Sequence, residues 1–245
     1  YGRGELHIAI LIENMRREGY ELQVSQPHVI MKTIDGARHE PFEEIVVDVP
    51  SELQGIVIEK LSARGAMMQK THMHEKRILL SFEGPSRGLF GYRSQFITDT
   101  RGLGIINTSF LEYRPDFPSW PQRNQGSLVA FETGTTALYS LLTIQDRGTM
   151  FFGPGVNIYK GQIVGQNSRP EDIRVNVCKE KQLSNHRSKG DGVNAHFDAP
   201  KTMNLENALE YIWDDELVEV TPRSIRLRKQ ILDETDAKRA SRGLT

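Results

Sequence analysis

Residues 67–82 read MMQKTHMHEKRILLSF, two runs of strand-forming residues that meet at Glu75 and Lys76. A connection of two residues predicts an antiparallel hairpin between a strand at 67–74 and a strand at 77–82. Because an isolated hairpin is barely stable in water, these two strands need further elements to cover them.

Strand and helix patterns flank the hairpin on both sides. A strand is predicted at 44–49, and Ser51 and Gln54 have the spacing of a capping box for the helix that follows it. On the other side, Ser86 is predicted to cap a second helix, and a strand follows at 105–113. The resulting order, β-α-β-β-α-β, is that of the ferredoxin-like split βαβ plan.

Composition divides the chain into three parts. We expect a truncated α/β piece at 1–27, the ferredoxin-like domain at 28–116 and a mostly β domain at 117–245. Three prolines between Pro115 and Pro121 mark the last boundary, since proline continues neither a helix nor a central strand. The predicted fold class is therefore α+β.

The last part has shorter elements and one long polar stretch. Helices are predicted at 135–144 and 205–213, a strand at 156–164, and a terminal hairpin of 217–220 with 224–228. The intervening residues from Lys179 to Pro200 are nearly devoid of apolar side chains, which is typical of a long functional or flexible loop.

Composition excludes several classes of protein. No run approaches the ~18 apolar residues that a membrane span needs, so we expect a cytoplasmic monomer without a membrane partner. Cys178 is the only cysteine, which excludes an intrachain disulfide. The formal net charge is −1, so binding to a nucleic acid has to depend on local basic patches.

Catalytic patterns are missing from the sequence. No Gly-x-x-x-x-Gly-Lys-[Ser/Thr] motif is present, so we expect no nucleotide hydrolysis by this chain and assign no catalytic residue. His72 and His74 share a strand face but lack a recognisable third ligand, so no metal site is assigned. The three consecutive carboxylates at 214–216 are better explained as solvated side chains at the end of a helix than as a catalytic acid–base pair.

Two basic stretches are candidates for RNA contact, since lysine and arginine attract phosphate, and Asn, Gln, Ser and His can bond sugar or base edges. Equally, each could be an ordinary solvated surface. Neither stretch contains an aromatic residue on which a base could stack. The candidate residues are Lys179, Lys181, Gln182, Ser184, Asn185, His186, Arg187, Ser188 and Lys189 in the loop, and Arg223, Arg226, Arg228 and Lys229 near the terminal hairpin.

Several longer motifs resemble one family of translational GTPases, the BipA/TypA family, and the similarity covers nearly the whole chain. The central unit also resembles the fifth domain of elongation-factor-G-like proteins. The motifs are Gly2-Arg3-Gly4-Glu5-Leu6-His7, Glu13-Asn14-Met15-Arg16-Arg17-Glu18-Gly19, Arg93-Ser94-Gln95-Phe96, Asp99-Thr100-Arg101-Gly102, Gln145-Asp146-Arg147-Gly148, Lys181-Gln182-Leu183-Ser184-Asn185 and Asp214-Asp215-Glu216-Leu217-Val218.

The resemblance implies a ribosome-associated protein that acts in stress and cold adaptation and in large-subunit assembly. It implies that residues 1–27 end a third domain, that 28–116 lie near the GTPase-associated ribosomal RNA, and that the loop of 117–245 reaches the acceptor end of an A-site tRNA. GTP and Mg²⁺ would be bound by an N-terminal domain, so no cofactor is expected in this chain.

Two other classes of function compete with this interpretation. One is a self-standing ferredoxin-like hydrolase with an accessory domain, which an upstream P-loop domain in the same reading frame would exclude. The other is a scaffold that binds ribosomal proteins instead of RNA. Salt dependence separates the scaffold from RNA docking, because phosphate contacts make affinity fall steeply with salt.

Overall fold

The computed structural model describes residues 5–116, 125–180, 196–241 and 243. In these residues it has six α-helices: α1 (Glu5–Arg17), α2 (Gln54–Ala63), α3 (Tyr92–Asp99), α4 (Leu138–Ile144), α5 (Leu205–Tyr211) and α6 (Glu234–Ser241). The strands of the same residues are β1 (Leu22–Ser25), β2 (Lys32–Ile34), β3 (Ala37–Pro50), β4 (Met67–His74), β5 (Arg77–Pro85), β6 (Ile105–Pro115), β7 (Ser127–Ala130), β8 (Gly134–Thr135), β9 (Gly148–Met150), β10 (Asn157–Ile158), β11 (Gln162–Asn167), β12 (Ile173–Val175), β13 (Glu216–Val220) and β14 (Ile225–Lys229).

The chain forms two compact units. Unit 1 contains residues 1–26 together with 123–245, and unit 2 contains residues 27–122. The α+β class is confirmed, since both units combine sheets with short helices. The grouping of 1–26 with 123–245 describes packing, and the origin of the first segment from a third domain stays a prediction.

Unit 2 is built around one antiparallel sheet. Its strands follow the order β2-β3-β5-β4, and β6 pairs with β3. The hairpin predicted at 67–82 is confirmed, because β4 and β5 pair antiparallel around Glu75, whose φ of 52° allows the tight turn. One side of the sheet is apolar and buried against α2 and α3. The strands contribute Ile45, Val47, Val49, Ile78, Leu80 and Phe82, and the helices contribute Val57, Leu61, Tyr92 and Phe96.

Both helix starts in unit 2 differ from the prediction. Ser51 does not cap α2, because residues Ser51–Leu53 form a 3₁₀ turn and the helix begins at Gln54 without a side-chain cap. Ser86 likewise begins a 3₁₀ turn, and Gly91 in the left-handed region (φ 69°) separates that turn from α3. A residue with this conformation cannot continue a right-handed helix.

Unit 1 has a seven-stranded sheet in the order β1-β13-β14-β11-β7-β12, with β9 also paired to β11. Strand β12 runs parallel to β7, whereas the other pairs are antiparallel. Both faces are covered: Val129 and Ile163 lie in one apolar core with α1 and α5, and Leu128 and Val164 lie in another with α4. Because β7 is buried along its whole length, its sequence is continuously apolar after Ser127.

Two elements of unit 1 are shorter than the patterns predicted. The strand expected at 156–164 is two strands, β10 and β11, because the chain turns between them at Gly161, whose φ is 85°. The helix expected from 135 begins at Leu138, because Thr135 is used in the small sheet with Asn157. The terminal hairpin is confirmed as β13 and β14.

Candidate nucleic-acid interface

Most of the predicted loop candidates lie outside the described residues. This applies to Lys181, Gln182, Ser184, Asn185, His186, Arg187, Ser188 and Lys189, so their contacts stay predictions. The structure describes the chain on both sides of this segment, up to Glu180 and again from His196. Lys179 is the one loop candidate in that part, and it is exposed.

The chain that leads into the segment is fixed by backbone hydrogen bonds. The amide of Phe131 donates to the carbonyl of Val175 at 2.9 Å, and the amide of Ala137 donates to Val177 at 2.8 Å. Val175 and Val177 are also buried in the core beneath. The hydroxyl of Ser140 then donates to the carbonyl of Lys179. The chain is therefore hydrogen-bonded to the rest of the unit beyond β12 as far as Lys179.

A glutamine side chain makes two hydrogen bonds to the start of the chain that leaves the segment. The Gln145 side-chain amide donates to the carbonyl of His196 at 3.1 Å, and its Oε1 accepts from the amide of Asp198 at 3.2 Å. Phe197 packs against the same core as α4. Ser140 lies in α4 and Gln145 directly follows it, so α4 and the residue after it bond the described chain on both sides of residues 181–195.

Burial fixes how α4 is oriented. Ser140, Leu141 and Ile144 are buried, at the i, i+1, i+4 spacing of one helix side. Leu138 and Tyr139 stand on the other side and are 48% and 47% exposed. The helix ends at a 3₁₀ turn, Gln145–Arg147, which leaves the Gln145 side chain free to reach 196–198. The side of α4 that carries Leu138 and Tyr139 is therefore exposed.

The arginines near the terminal hairpin differ in how accessible they are. Arg223 is exposed, whereas Arg226 and Arg228 are half-buried. Arg228 donates through Nη1 to Glu219 Oε1 at 3.2 Å, and the Tyr159 hydroxyl donates to the other oxygen of Glu219 at 2.7 Å. Burial, and then this bond to Glu219, raise the pKa of Tyr159. Arg223 and Arg226 are therefore better placed than Arg228 to meet an external phosphate.

Lys229 is the candidate whose position least supports RNA contact. It is 8% exposed, and its Nζ lies 2.5 Å from Asp172, 2.9 Å from Asp215 and 3.0 Å from Glu216. A buried ammonium that already faces three carboxylates has no open side for a phosphate. Its predicted RNA contact has no geometric support, and the residue is better explained as an internal ion pair.

A serine near Lys229 raises the question of whether the lysine could activate it as a nucleophile. Ser127 Oγ donates to Glu216 Oε1 at 2.8 Å and lies 2.9 Å from the Tyr211 hydroxyl. Burial disfavours the charge on Lys229, but attraction to Glu216 and bonds to Asp172 and Asp215 outweigh it and raise the pKa of the lysine. The ammonium therefore keeps its proton and cannot serve Ser127 as a general base.

The histidine pair of unit 2 stands on β4, a strand exposed along its whole length. His72 pairs across the sheet with Leu79, and His74 pairs with Arg77. No group of three His, Cys, Asp or Glu side chains with metal-binding geometry occurs in residues 5–116, 125–180 and 196–241. Over the same ranges, no helix is long and apolar enough to cross a membrane.

The structure adds residues that the sequence patterns missed. Ser140 and Gln145 anchor a segment 39 and 51 residues further along the chain, and local periodicity carries no signal for such pairs. Phe131 and Tyr139 are also exposed, although neither belongs to a basic stretch.

Two family models match the chain, one in each unit. A model described as the TypA/BipA C-terminal domain matches residues 125–234, and one described as the elongation factor G C-terminus matches residues 37–121. The first falls in unit 1 and the second in unit 2.

Three relatives have the same name, "Large ribosomal subunit assembly factor BipA". The Synechocystis protein is 52% identical over 229 residues, which is 93% of this chain and 38% of that protein. The Bacillus subtilis protein is 47% identical over 98% of this chain and 40% of that protein. The Salmonella typhimurium protein is 46% identical over 99% of this chain and 40% of that protein. The chain thus spans about two fifths of the length of these relatives.

Proposed function

This chain belongs to the TypA/BipA family, and on that premise we propose that it is the ribosome-docking region of a translational GTPase that acts in assembly of the large ribosomal subunit. The observation that carries the proposal is an identity of 46–52% that extends over 93–99% of the chain. Similarity at this level covers both units, so the docking surfaces of the relatives and of this chain should correspond.

The finer parts of the proposal concern partners and setting. We infer that the chain contacts ribosomal RNA and the acceptor end of a tRNA, that the whole protein works in the cytoplasm during stress and cold adaptation, and that GTP and Mg²⁺ are bound by another domain of it. Within unit 2, the antiparallel strand order β6-β3-β5-β4 and the two helices on one face support a ferredoxin-like domain.

Anchoring of the basic segment supports an RNA role for unit 1. The run from 179 to 190 contains four cations and one acidic residue. The described chain on either side of residues 181–195 is hydrogen-bonded to Ser140 and Gln145. Phosphate contacts by such a run would position RNA without reading its sequence.

Sedimentation with ribosomes across a salt series tests the docking role. In the whole protein, replacement of Lys179, Lys181, Arg187 and Lys189 by alanine should weaken co-sedimentation. It should also flatten the slope of log affinity against log salt by roughly three units, at ~0.7 for each lost phosphate contact. A charge-conserving variant, Lys179→Arg, Lys181→Arg, Arg187→Lys and Lys189→Arg, is the matched control and should keep the slope.

Identical behaviour of the alanine variant and the wild type at every salt concentration would count against RNA contact by the loop. Docking would then have to use Arg223 and Arg226, and the same assay with those two residues replaced would show it. Binding that does not change with salt in any variant would favour a scaffold for ribosomal proteins.

A further inference from the structure

Two histidines lie side by side on the edge strand of unit 2. His72 and His74 belong to β4, the last strand in the order β2-β3-β5-β4, and both are exposed. Their partners on β5 are Leu79 and Arg77, which are also two residues apart. Because alternate residues of a strand point to the same side of the sheet, the two imidazoles share one face, with their Cα atoms roughly 7 Å apart. Two imidazoles at this separation can converge on one ion.

The neighbouring side chains leave the histidine pair open. Arg77 lies opposite His74, but its Nε donates to Asp48 Oδ1 at 2.8 Å, and its Nη2 donates to the carbonyls of Asp48 and Leu103 at 3.1 Å each. Because β5 lies between β3 and β4, these bonds direct the guanidinium away from His74. Neither imidazole makes a hydrogen bond or an ion pair within the part of the chain that the structure describes.

The donor atoms of the pair select one class of ion. Imidazole nitrogen suits Cu²⁺, Ni²⁺ and Zn²⁺, whereas Mg²⁺ and Ca²⁺ require several oxygen ligands. The carboxylate of Asp48, which lies across Leu79 on the same face, is already bonded to Arg77. Among divalent ions of the first transition row, Cu²⁺ binds a given set of nitrogen ligands most tightly.

We propose that His72 and His74 form a two-histidine site for a divalent transition-metal ion, with Cu²⁺ bound most tightly. Water fills the remaining coordination positions, which are accessible because β4 is an exposed edge strand. A third protein ligand is therefore not required for binding at this surface. The site is independent of the proposed ribosome docking, since it lies in unit 2 and uses neither of the two basic stretches.

Titration of the whole chain with Cu²⁺, followed by calorimetry in a buffer that does not bind the metal, tests the site. His72→Gln and His74→Gln should each weaken the one-to-one binding by at least about tenfold, because the second imidazole of the pair acts at a high effective concentration. Electron paramagnetic resonance of the one-to-one complex should show two imidazole nitrogens in the wild type and one in each variant. Ni²⁺ and Zn²⁺ should bind more weakly than Cu²⁺, and an excess of Mg²⁺ should not compete.

A rearranged pair is the matched control. Thr71→His combined with His72→Thr keeps the composition of β4 but places the two histidines on opposite faces of the strand. Both positions are exposed, so the fold should be retained. The rearranged chain should bind Cu²⁺ as weakly as His72→Gln does, whereas His28→Gln, which removes a different exposed histidine of unit 2, should keep the wild-type affinity.

Undiminished Cu²⁺ binding by the rearranged chain, or by either glutamine variant of the pair, would overturn the site. A wild-type resonance spectrum with a single imidazole nitrogen would also overturn it. None of these outcomes affects the sedimentation test of ribosome docking, because the variants leave both basic stretches unchanged.

Discussion

At the scale of single residues, Lys229 is a charged side chain that is buried among three carboxylates. Glu216 is fully buried, and its two oxygens are used by Lys229, Ser127 and the amide of Trp213. An ion pair of this kind adds little net stability compared with apolar residues, but the loss of one partner leaves a buried charge without compensation.

We therefore expect Lys229→Met to destabilise unit 1 by about 3–5 kcal/mol. Urea unfolding followed by circular dichroism measures this loss. Lys160→Met is the control, because the Lys160–Asp233 pair is partly exposed (43% and 40%) and exposed ion pairs contribute little to stability. Equal midpoints for the two variants would show that the Lys229 cluster is open to water.

A second residue-scale prediction concerns Gly148, at the start of β9. A methyl group there would lie 1.9 Å from the carbonyl oxygen of Gln166 on the paired strand. Gly148→Ala should cost roughly 1–3 kcal/mol, because the backbones have to separate. Gly153→Ala, where a methyl group meets nothing within 4 Å, should stay within about 0.5 kcal/mol of the wild type. Thermal unfolding of both variants compares them directly, and a Gly148→Ala protein as stable as Gly153→Ala would contradict the packing described for β9.

At the scale of elements, α4 is the anchor of the 181–195 segment. Gln145→Ala removes both hydrogen bonds to 196–198, so the amide of Asp198 should exchange with solvent about tenfold faster. Hydrogen exchange read by mass spectrometry on a peptide that covers 196–200 measures the change. Thr143→Ala removes only a bond within α4 and should leave the exchange at Asp198 unaltered. Unchanged exchange in Gln145→Ala would mean that other contacts, among them the packing of Phe197 and the bond from the Lys201 amide to the Met150 carbonyl, hold this chain end.

Elements also show what the sequence could and could not predict. The hairpins β4–β5 and β13–β14 followed from local alternation and short turns, which are properties of adjacent residues. The helix starts at Ser51 and Ser86 were wrong, because a 3₁₀ turn and an α-helix have the same apolar spacing over three or four residues. The Ser140 and Gln145 anchors depend on pairs of residues far apart in the chain, which no local pattern encodes.

At the scale of the whole molecule, the two units should differ in their ability to fold from one continuous segment. Among the residues that the structure describes, the buried core of unit 2 comes only from positions within 27–122. Unit 1 needs residues 1–26 as well as residues 123–245, because Ala9 and Ile12 of α1 lie in its core and β1 pairs with β13. Covering the edge of a sheet and filling its core are both required for a stable unit.

We expect residues 27–122, expressed alone, to melt in one sharp transition, and residues 123–245, expressed alone, to lack a cooperative transition. Circular dichroism during heating checks both. The control for the second protein is addition of residues 1–26 through a flexible linker, which should restore the transition. A cooperative melt of 123–245 by itself would show that α1 and β1 are dispensable for unit 1.

The pairing of β1 with β13 also has a consequence for synthesis of the chain. Ser25 finds its partner, Leu217, about 190 residues later. At typical rates of translation, β1 is synthesised on the order of 10 to 40 s before β13. During that interval unit 2 can fold completely, while the exposed edge of β1 and the apolar side of α1 have no native partner. The nascent chain therefore passes through a state in which unit 2 is folded and unit 1 is still unfolded. A holding chaperone would act on the emerging protein at that stage.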